Sequence, residues 1–417
     1  MTEPGTDGGA TAPHLKRRLG FGLLTFYGVG VMVGAGIYVL VGQVAGAAGE
    51  WAPLAFLVAG LVALPTAVSY AELSSRIPES AGEAAYLWRA TGSQALAILV
   101  GLAVAAVGVI SAAAVLQGGV GYLTGVLDLP APWLMAGIGV LLGIAAVLGV
   151  LESLSLAAIF TAVEAGGLIV VAAAGFSADP VALPEAAGAG GIAVAGLAAA
   201  SFLAFFAFIG FEDMVNMAEE TRRPERTMPR AILAAVAITT ALYILVSFAA
   251  VRAVPPADLA ASQRPLALVY ERATGHGSGF LALIAVAAAM NGVLAQIVMS
   301  ARVLYGLGRR SPLFMPFHKA HPRFGTPVLA TVLATGLVIL LALVAPLVGL
   351  AETTSTVLLG VFLAMNLALI ALKRRELALI ALKRRELAPE GTFRVPMAVP
   401  VAGAALAAGA LIWGLLA

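Results

Sequence analysis

Apolar residues along the 417-residue chain gather into long unbroken blocks, without the alternating or three-to-four-residue rhythm of half-buried soluble elements. Eleven blocks reach the roughly 17–25 mostly apolar residues that a helix needs to cross a bilayer. They lie at 21–46, 52–75, 94–116, 131–150, 154–175, 192–218, 230–251, 279–307, 326–348, 355–372 and 395–416. The pattern predicts an all-α polytopic membrane protein. Lys and Arg are shared unevenly among the polar connections. With the N-terminus in the cytoplasm, 21 of the 24 basic residues fall in cytoplasmic segments, and Arg252, Arg264 and Arg272 fall outside. One missed span would invert everything after it, so the asymmetry supports the count. Eleven spans then place the C-terminus outside a multi-pass protein of the cell membrane.

Composition narrows the classes. Hydrophobic residues make up 61% of the chain and charged ones 11%, where soluble proteins keep about a quarter charged. The net charge of +2 gives no sign of a nucleic-acid partner, and zero cysteines exclude disulfides, thiolate metal sites and a cysteine nucleophile. Residues 1–14 are polar and Gly-rich, so no cleaved signal peptide is expected. His318 and His321 sit in a basic, Pro-containing connection without nearby acids, which argues against a metal site. "GVGVMVG" at 28–34 has the flavour of a dinucleotide loop, but a membrane span contains it and no strand precedes it. No cofactor is expected.

Two spans carry a weakness near their middle. The first contains Gly34, Ala35 and Gly36; the sixth contains Gly210, followed at once by Phe211, Glu212 and Asp213. Glycine costs a helix about 1 kcal/mol relative to alanine, and in hydrocarbon unpaired backbone survives only where it lines a cavity or is buried in protein. Close helix packing would explain one such site. Two, five spans apart, point to a secondary transporter built from inverted repeats around a midplane site. A helix beginning at a break offers amide groups to an anion, and a helix ending there offers carbonyls to a cation. A zwitterionic amino acid meets both needs.

At these residues the chain resembles the amino acid–polyamine–organocation (APC) superfamily of permeases. The resemblance runs from Leu15 to about Pro396. It rests on "LKRRLGFGLLTFYGVGVMVGAGIYVLVG", "YAELSSRIPESAGEAAYLW", "FFAFIGFEDMVNMAEETRRPERTMPRAI", "MNGVLAQIVMSARVLYGLGRR" and "HPRFGTPVLA", in that order. It implies a LeuT-like five-plus-five fold with alternating access. The layout is then a cytoplasmic tail (1–19), a first repeat (20–176), an external loop (177–191), a second repeat (192–376), a basic segment (377–394) and an eleventh span (395–417). It also implies that Gly34, Ala35 and Gly36 bind the substrate carboxylate through their backbone. Carbonyls around Phe208 and Ile209 would bind the amine, with Gly210 as the break and Phe206 as a gating aromatic. Glu212 falls where several relatives have an acid linked to substrate or proton coupling. The chain departs from its relatives in placing Glu164 where many carry a lysine, and in ending after eleven spans where twelve are usual.

Glu164 lies about ten residues into the fifth span, roughly 15 Å deep. A charge there costs at least ~2.5–3.5 kcal/mol, and no basic residue within a span is placed to neutralise it. The group is suited to taking up and giving back a proton, with Glu212 and Asp213 as further candidates. Asn216 and Asn291 read as interhelical hydrogen-bond formers, and Glu72, Glu219 and Glu220 as salt-bridge partners near the cytoplasmic ends. "LALIALKRRE" occurs twice in tandem, at 367–376 and 377–386. Ten helical residues turn through about 1000°, so the two copies cannot present the same face to a neighbour. The second is too short to cross and is expected at the interface or as an extension of the helix. The function expected is proton-coupled transport of amino acids, with small or apolar side chains favoured by the Ala, Gly, Val and Leu of spans 3, 8 and 10. The alternatives are an exchanger, or a membrane-embedded enzyme using Glu164, Glu212 and Asp213.

Overall fold

The computed structural model describes residues 19–79, 82–125, 127–149, 154–181, 194–308, 311–381 and 391–416. The expected tail up to residue 18, the loop from 182 to 193 and the second basic copy from 382 onward lie outside these described residues. The elements are α1 (Phe21–Ala48), α2 (Ala52–Arg76), the short α3 (Gly82–Thr91), α4 (Gln94–Leu123), α5 (Ala131–Leu148) and α6 (Leu154–Ser177). The sixth span is α7 (Val194–Phe205), continued by 3-10 turns over Phe206–Phe208 and Glu212–Glu220. Then come α8 (Pro224–Ala253), the short α9 (Pro256–Ala261) and α10 (Pro265–Thr274), α11 (Gly279–Gly308), α12 (Val328–Val344), α13 (Leu347–Ala381) and α14 (Ala398–Leu416). Among the described residues no strand forms, only an isolated bridge between Leu19 and Thr221.

Among the described residues nine stretches are long and apolar enough to cross a membrane. One of them, Gly36–Arg76, joins the second half of α1 to α2, and two shorter apolar helices, Phe21–Gly34 and Val328–Val344, stand beside the nine. Among the described residues each of the eleven apolar blocks therefore contains a helix. α5 shows how they are sorted: it buries Gly139, Gly143 and Ala146 and leaves Leu141 two-thirds exposed. Its small residues let α12 approach, with Ile339 over Gly139 and Thr335 over Gly143. Small residues inward and large apolar ones outward is the arrangement that packing in lipid favours. The same device seats α4 on α11, where Gly108 faces Ser300 and Gly119 faces Ala289.

The two ends of the bundle are closed differently. At one, α9 covers the second half of α1, with Gln43 Nε2 donating to the Ala260 carbonyl at 3.1 Å. Tyr122 of α4 accepts there from the Leu266 amide (3.3 Å) and donates to the Tyr38 carbonyl (2.9 Å). At the other, the Leu19 amide donates to the Glu220 carbonyl (3.0 Å) and the Arg222 amide to the Leu19 carbonyl (2.8 Å), joining the start of α1 to the end of the sixth span.

The same end holds a chain of ion pairs. Fully buried Glu72 pairs with Arg76 (2.8 Å) and with Lys373 of α13 (2.8 Å). Arg76 also reaches Glu376 (2.9 Å), which Arg394 meets from the other side (2.9 Å). The Val395 amide donates to Glu72 Oε2 (2.8 Å) and Lys373 Nζ to the Val395 carbonyl (2.6 Å). Glu72 is thus a salt-bridge partner, as its place in the sequence suggests. The tandem repeat is also explained in part. Lys373 and Glu376 of the first copy complete this network, while the start of the second copy prolongs α13 to Ala381.

Without Lys373, Glu72 keeps Arg76 but loses its second cation, and the Val395 carbonyl loses its donor, at a cost of ~1–3 kcal/mol. Lys373→Met should therefore lower the thermal midpoint of the detergent-solubilised protein by several degrees. Deleting residues 377–386 should leave it unchanged, because that copy contributes no described side chain to the network. A midpoint that falls as far on deletion would show that the second copy bears load.

Candidate functional site

The first break is at Gly34, where φ is −2° and ψ −143°, so α1 is two helices meeting at a kink. A side chain on Gly34 would meet nothing within 4 Å, so open space adjoins the break. The last carbonyls before a helix end and the first amides after one have no partner within the helix. The Met32 carbonyl is one such acceptor. The amides following Gly34 head a new half-helix and carry the positive end of its dipole. The side chain of Ala35 lies outside the described residues.

The second break follows Phe206–Phe208. Ile209 is extended (φ −60°, ψ 133°), and Gly210 has φ +123°, a region that side-chain-bearing residues rarely adopt. The sixth span then resumes as a nine-residue 3-10 run rather than as an α-helix, a geometry that seldom runs longer than three or four residues and often marks a hinge when it does. Here the freed amide is already occupied: Gly210 N–H donates to Glu212 Oε2 at 3.0 Å. Glu212 therefore caps the broken helix with its own carboxylate, a role its spacing two residues after the glycine could have suggested.

The two breaks lie against each other. A methyl group on Gly36 would sit 3.0 Å from Ala207 Cα, and one on Gly210 would sit 3.0 Å from the Val31 carbonyl carbon. Glycine at these two positions lets the backbones touch. The Phe206, Phe208 and Ile209 side chains are all buried. The Phe208 ring packs edge-on against Tyr243 of α8, 5.3 Å between centroids, so the side chain belongs to the core while its backbone forms the break.

The three acids expected as candidates for proton coupling are divided between two places. Glu212 and Asp213 share one with Glu83 of α3, whose charge both of them feel. Asp213 Oδ2 accepts from Gln296 Nε2 of α11 (3.0 Å), and Glu83 Oε1 accepts from the Tyr70 hydroxyl (3.2 Å). Burial pushes the Glu83 carboxyl up to about 7, against the pull of its backbone amide contact and Tyr70. Glu164 stands elsewhere, one turn after the Thr161 side chain that fills the space over Gly30 of α1. It is 1% exposed, and Asn291 of α11 is its polar neighbour. Neither carboxylate oxygen has a hydrogen bond of ordinary geometry, while the Glu164 backbone carbonyl accepts from the Tyr38 hydroxyl (2.8 Å). Among the described residues none of these four acids forms an ion pair.

Sequence reasoning missed Glu83, Tyr243 and Gln296. Glu83 sits on a short connecting helix and Tyr243 and Gln296 inside apolar spans, where no local pattern separates them from packing residues.

Residues 19–414 match the family model described as amino acid permease. The chain is 29% identical over 389 residues to the branched-chain amino acid permease BcaP of Bacillus subtilis (strain 168), covering 87% of this chain and 82% of that one. It is 32% identical over 377 residues to cationic amino acid transporter 4 of Homo sapiens, covering 84% of this chain but 58% of that one. The corresponding mouse protein is 30% identical, with 60% of its length covered, so this chain spans less than two thirds of these mammalian relatives.

Two measurements probe the geometry. Gly210→Ala forces a side chain into a positive-φ position and against Val31, which should cost ~1–3 kcal/mol and abolish any activity of the site; wild-type stability and activity in this variant would refute the contact. Glu83, with a carboxyl raised from 4.5 to about 7, makes the folded state bind more protons than the unfolded one between those values. Its contribution to stability is full below 4.5 and is lost as pH rises through about 7. The thermal midpoint of wild type relative to Glu83→Gln should therefore fall between about pH 5 and 7.5, and a difference that is flat with pH would contradict the assignment.

Proposed function

Because the chain belongs to the amino acid permease family of the APC superfamily, we propose that it moves amino acids across the cell membrane by alternating access at the two broken helices. The observation that carries this reading is the meeting of the breaks, backbone to backbone, with open space beside Gly34. The amides after Gly34 offer an anion site to the substrate carboxylate. The carbonyls at the end of α7, around Phe208 and Ile209, offer acceptors to its amine. Gly34, Ala35, Gly36, Phe206, Phe208, Ile209 and Gly210 are the substrate-binding set. The repeats are 20–176 and 192–376, with the N-terminus cytoplasmic and the C-terminus external.

Transport is coupled to protons through Glu164. A carboxylate buried without a cation, and with only Asn291 as a polar neighbour, is costly to keep charged, and taking up a proton relieves that cost. Glu212 and Asp213, with Glu83 beside them, form a second acidic group on the other side of the sixth-span break. The walls supplied by α4, α11 and α13 are rich in Ala, Gly, Val and Leu, which favours a small or apolar side chain. BcaP is named a branched-chain permease, and this chain is most simply read the same way. A second reading rests on the unpaired carboxylate of Glu164, which could receive a basic side chain, as the name of cationic amino acid transporter 4 suggests for that relative.

Uptake of labelled leucine, valine, arginine and lysine into proteoliposomes, with and without an inward proton gradient, tests all of this. Leucine or valine uptake that rises with the gradient is expected, and Glu164→Gln should reduce it to the level seen without one. Uptake that ignores the gradient but needs preloaded amino acid would make the protein an exchanger. Full gradient-driven uptake by Glu164→Gln would remove that residue from coupling.

A further inference from the structure

Tyr243, in the middle of α8, is wholly buried. Its hydroxyl lies 2.6 Å from the Met32 carbonyl oxygen and 2.8 Å from the Ala207 carbonyl oxygen. These two acceptors belong to the two different broken helices, and each is a carbonyl that its break deprives of a partner. The phenol has a single proton, so one donor serves both oxygens. The ring cannot swing away. Phe56 of α2 holds it edge-on at 5.6 Å, Phe208 does the same at 5.3 Å, and Ser247 donates to its backbone carbonyl (2.6 Å). One rigid side chain on a third helix thereby fixes how far apart the end of the first half of α1 and the end of α7 can be.

We infer that Tyr243 is a positioning residue for transport: its hydroxyl ties the carbonyls that precede the two breaks to each other, and so holds the two breaks in fixed relation around the substrate site. This rests on the proposed reading of the breaks as that site. Nothing in the local sequence, "ITTALYILVSF", marks the tyrosine as different from a packing residue. Packing alone would be served by phenylalanine, since both ring contacts are made by carbon. What phenylalanine cannot do is donate to two carbonyls in an apolar interior, where leaving them unpaired is costly. An α-amino acid has a fixed distance between its carboxylate and ammonium groups, so a site whose two ends drift binds it less well, whatever its side chain.

The test is Tyr243→Phe in proteoliposomes, with uptake read as KM and turnover per folded transporter. The expected result is a KM raised about tenfold, the loss of one well-made hydrogen bond, with turnover within about twofold of wild type. A purely structural tyrosine would instead lower the amount of active protein and leave KM alone. If Tyr243→Phe does not fold, 4-fluorophenylalanine at position 243 fills the hydroxyl's volume without a proton and should raise KM in the same way. 4-Aminophenylalanine there, which can donate to both carbonyls, should restore it. Wild-type KM in the variants without a donor overturns the inference while leaving the transport reading intact. Failure of wild type itself to take up any amino acid overturns both.

Discussion

Every part of this molecule answers one constraint: backbone amides and carbonyls surrounded by apolar residues must find partners. Unbroken helices satisfy it internally, which is why the described apolar blocks fold as helices. The two breaks violate it deliberately. At Gly34 and at Gly210 the backbone leaves helical geometry, a helix end deprives amides and carbonyls of helical partners, and the surrounding residues are arranged around that deficit. Glycine at 36 and 210 allows the two deficits to be brought together. Tyr243 serves a carbonyl from each, and Glu212 serves the Gly210 amide. In the proposed reading, the amides after Gly34 are the groups that receive the substrate carboxylate.

The rest of the fold holds those breaks in place from both ends. Leu19 and Thr221 tie the start of α1 to the end of the sixth span, and the Glu72–Arg76–Lys373–Glu376 chain binds α2 to α13. At the opposite end, hydrogen bonds from Gln43 and to Tyr122 join α9 and α10 to α1 and α4. Among the described residues ion pairs are confined to the ends, and Glu83, Glu164, Glu212 and Asp213 form none. Their isolation is what makes proton exchange a reasonable reading for Glu164, whose carboxylate oxygens lack even a hydrogen bond of ordinary geometry.

Much of this could be read from sequence because its causes are local. Apolar blocks of spanning length gave the helices, and a run of Gly-Ala-Gly or a glycine ahead of two acids gave the breaks. The tandem repeat was legible as a rotation that bars both copies from one role, and in the structure Lys373 and Glu376 of the first take it. What could not be read is long-range. Tyr243 is 211 residues from Met32, and Gln296 is 83 from Asp213. Glu83 looked like an ordinary residue of a polar connection until Tyr70 and the sixth span were seen around it. That Glu164 stands apart from Glu212 and Asp213 is likewise a matter of how distant spans pack, which no local pattern records.

The claim on which everything turns is that the amides freed at Gly34 receive a carboxylate. Backbone hydrogen exchange over residues 31–42, measured by mass spectrometry, tests it directly. The exchange should be compared without ligand, with the amino acid that the protein takes up, and with the methyl ester of that amino acid. The account predicts that the amino acid slows exchange in this segment and that the ester, which lacks the anion, does not. Equal protection by both, or protection confined to α4 and α11 with none at 31–42, would contradict it.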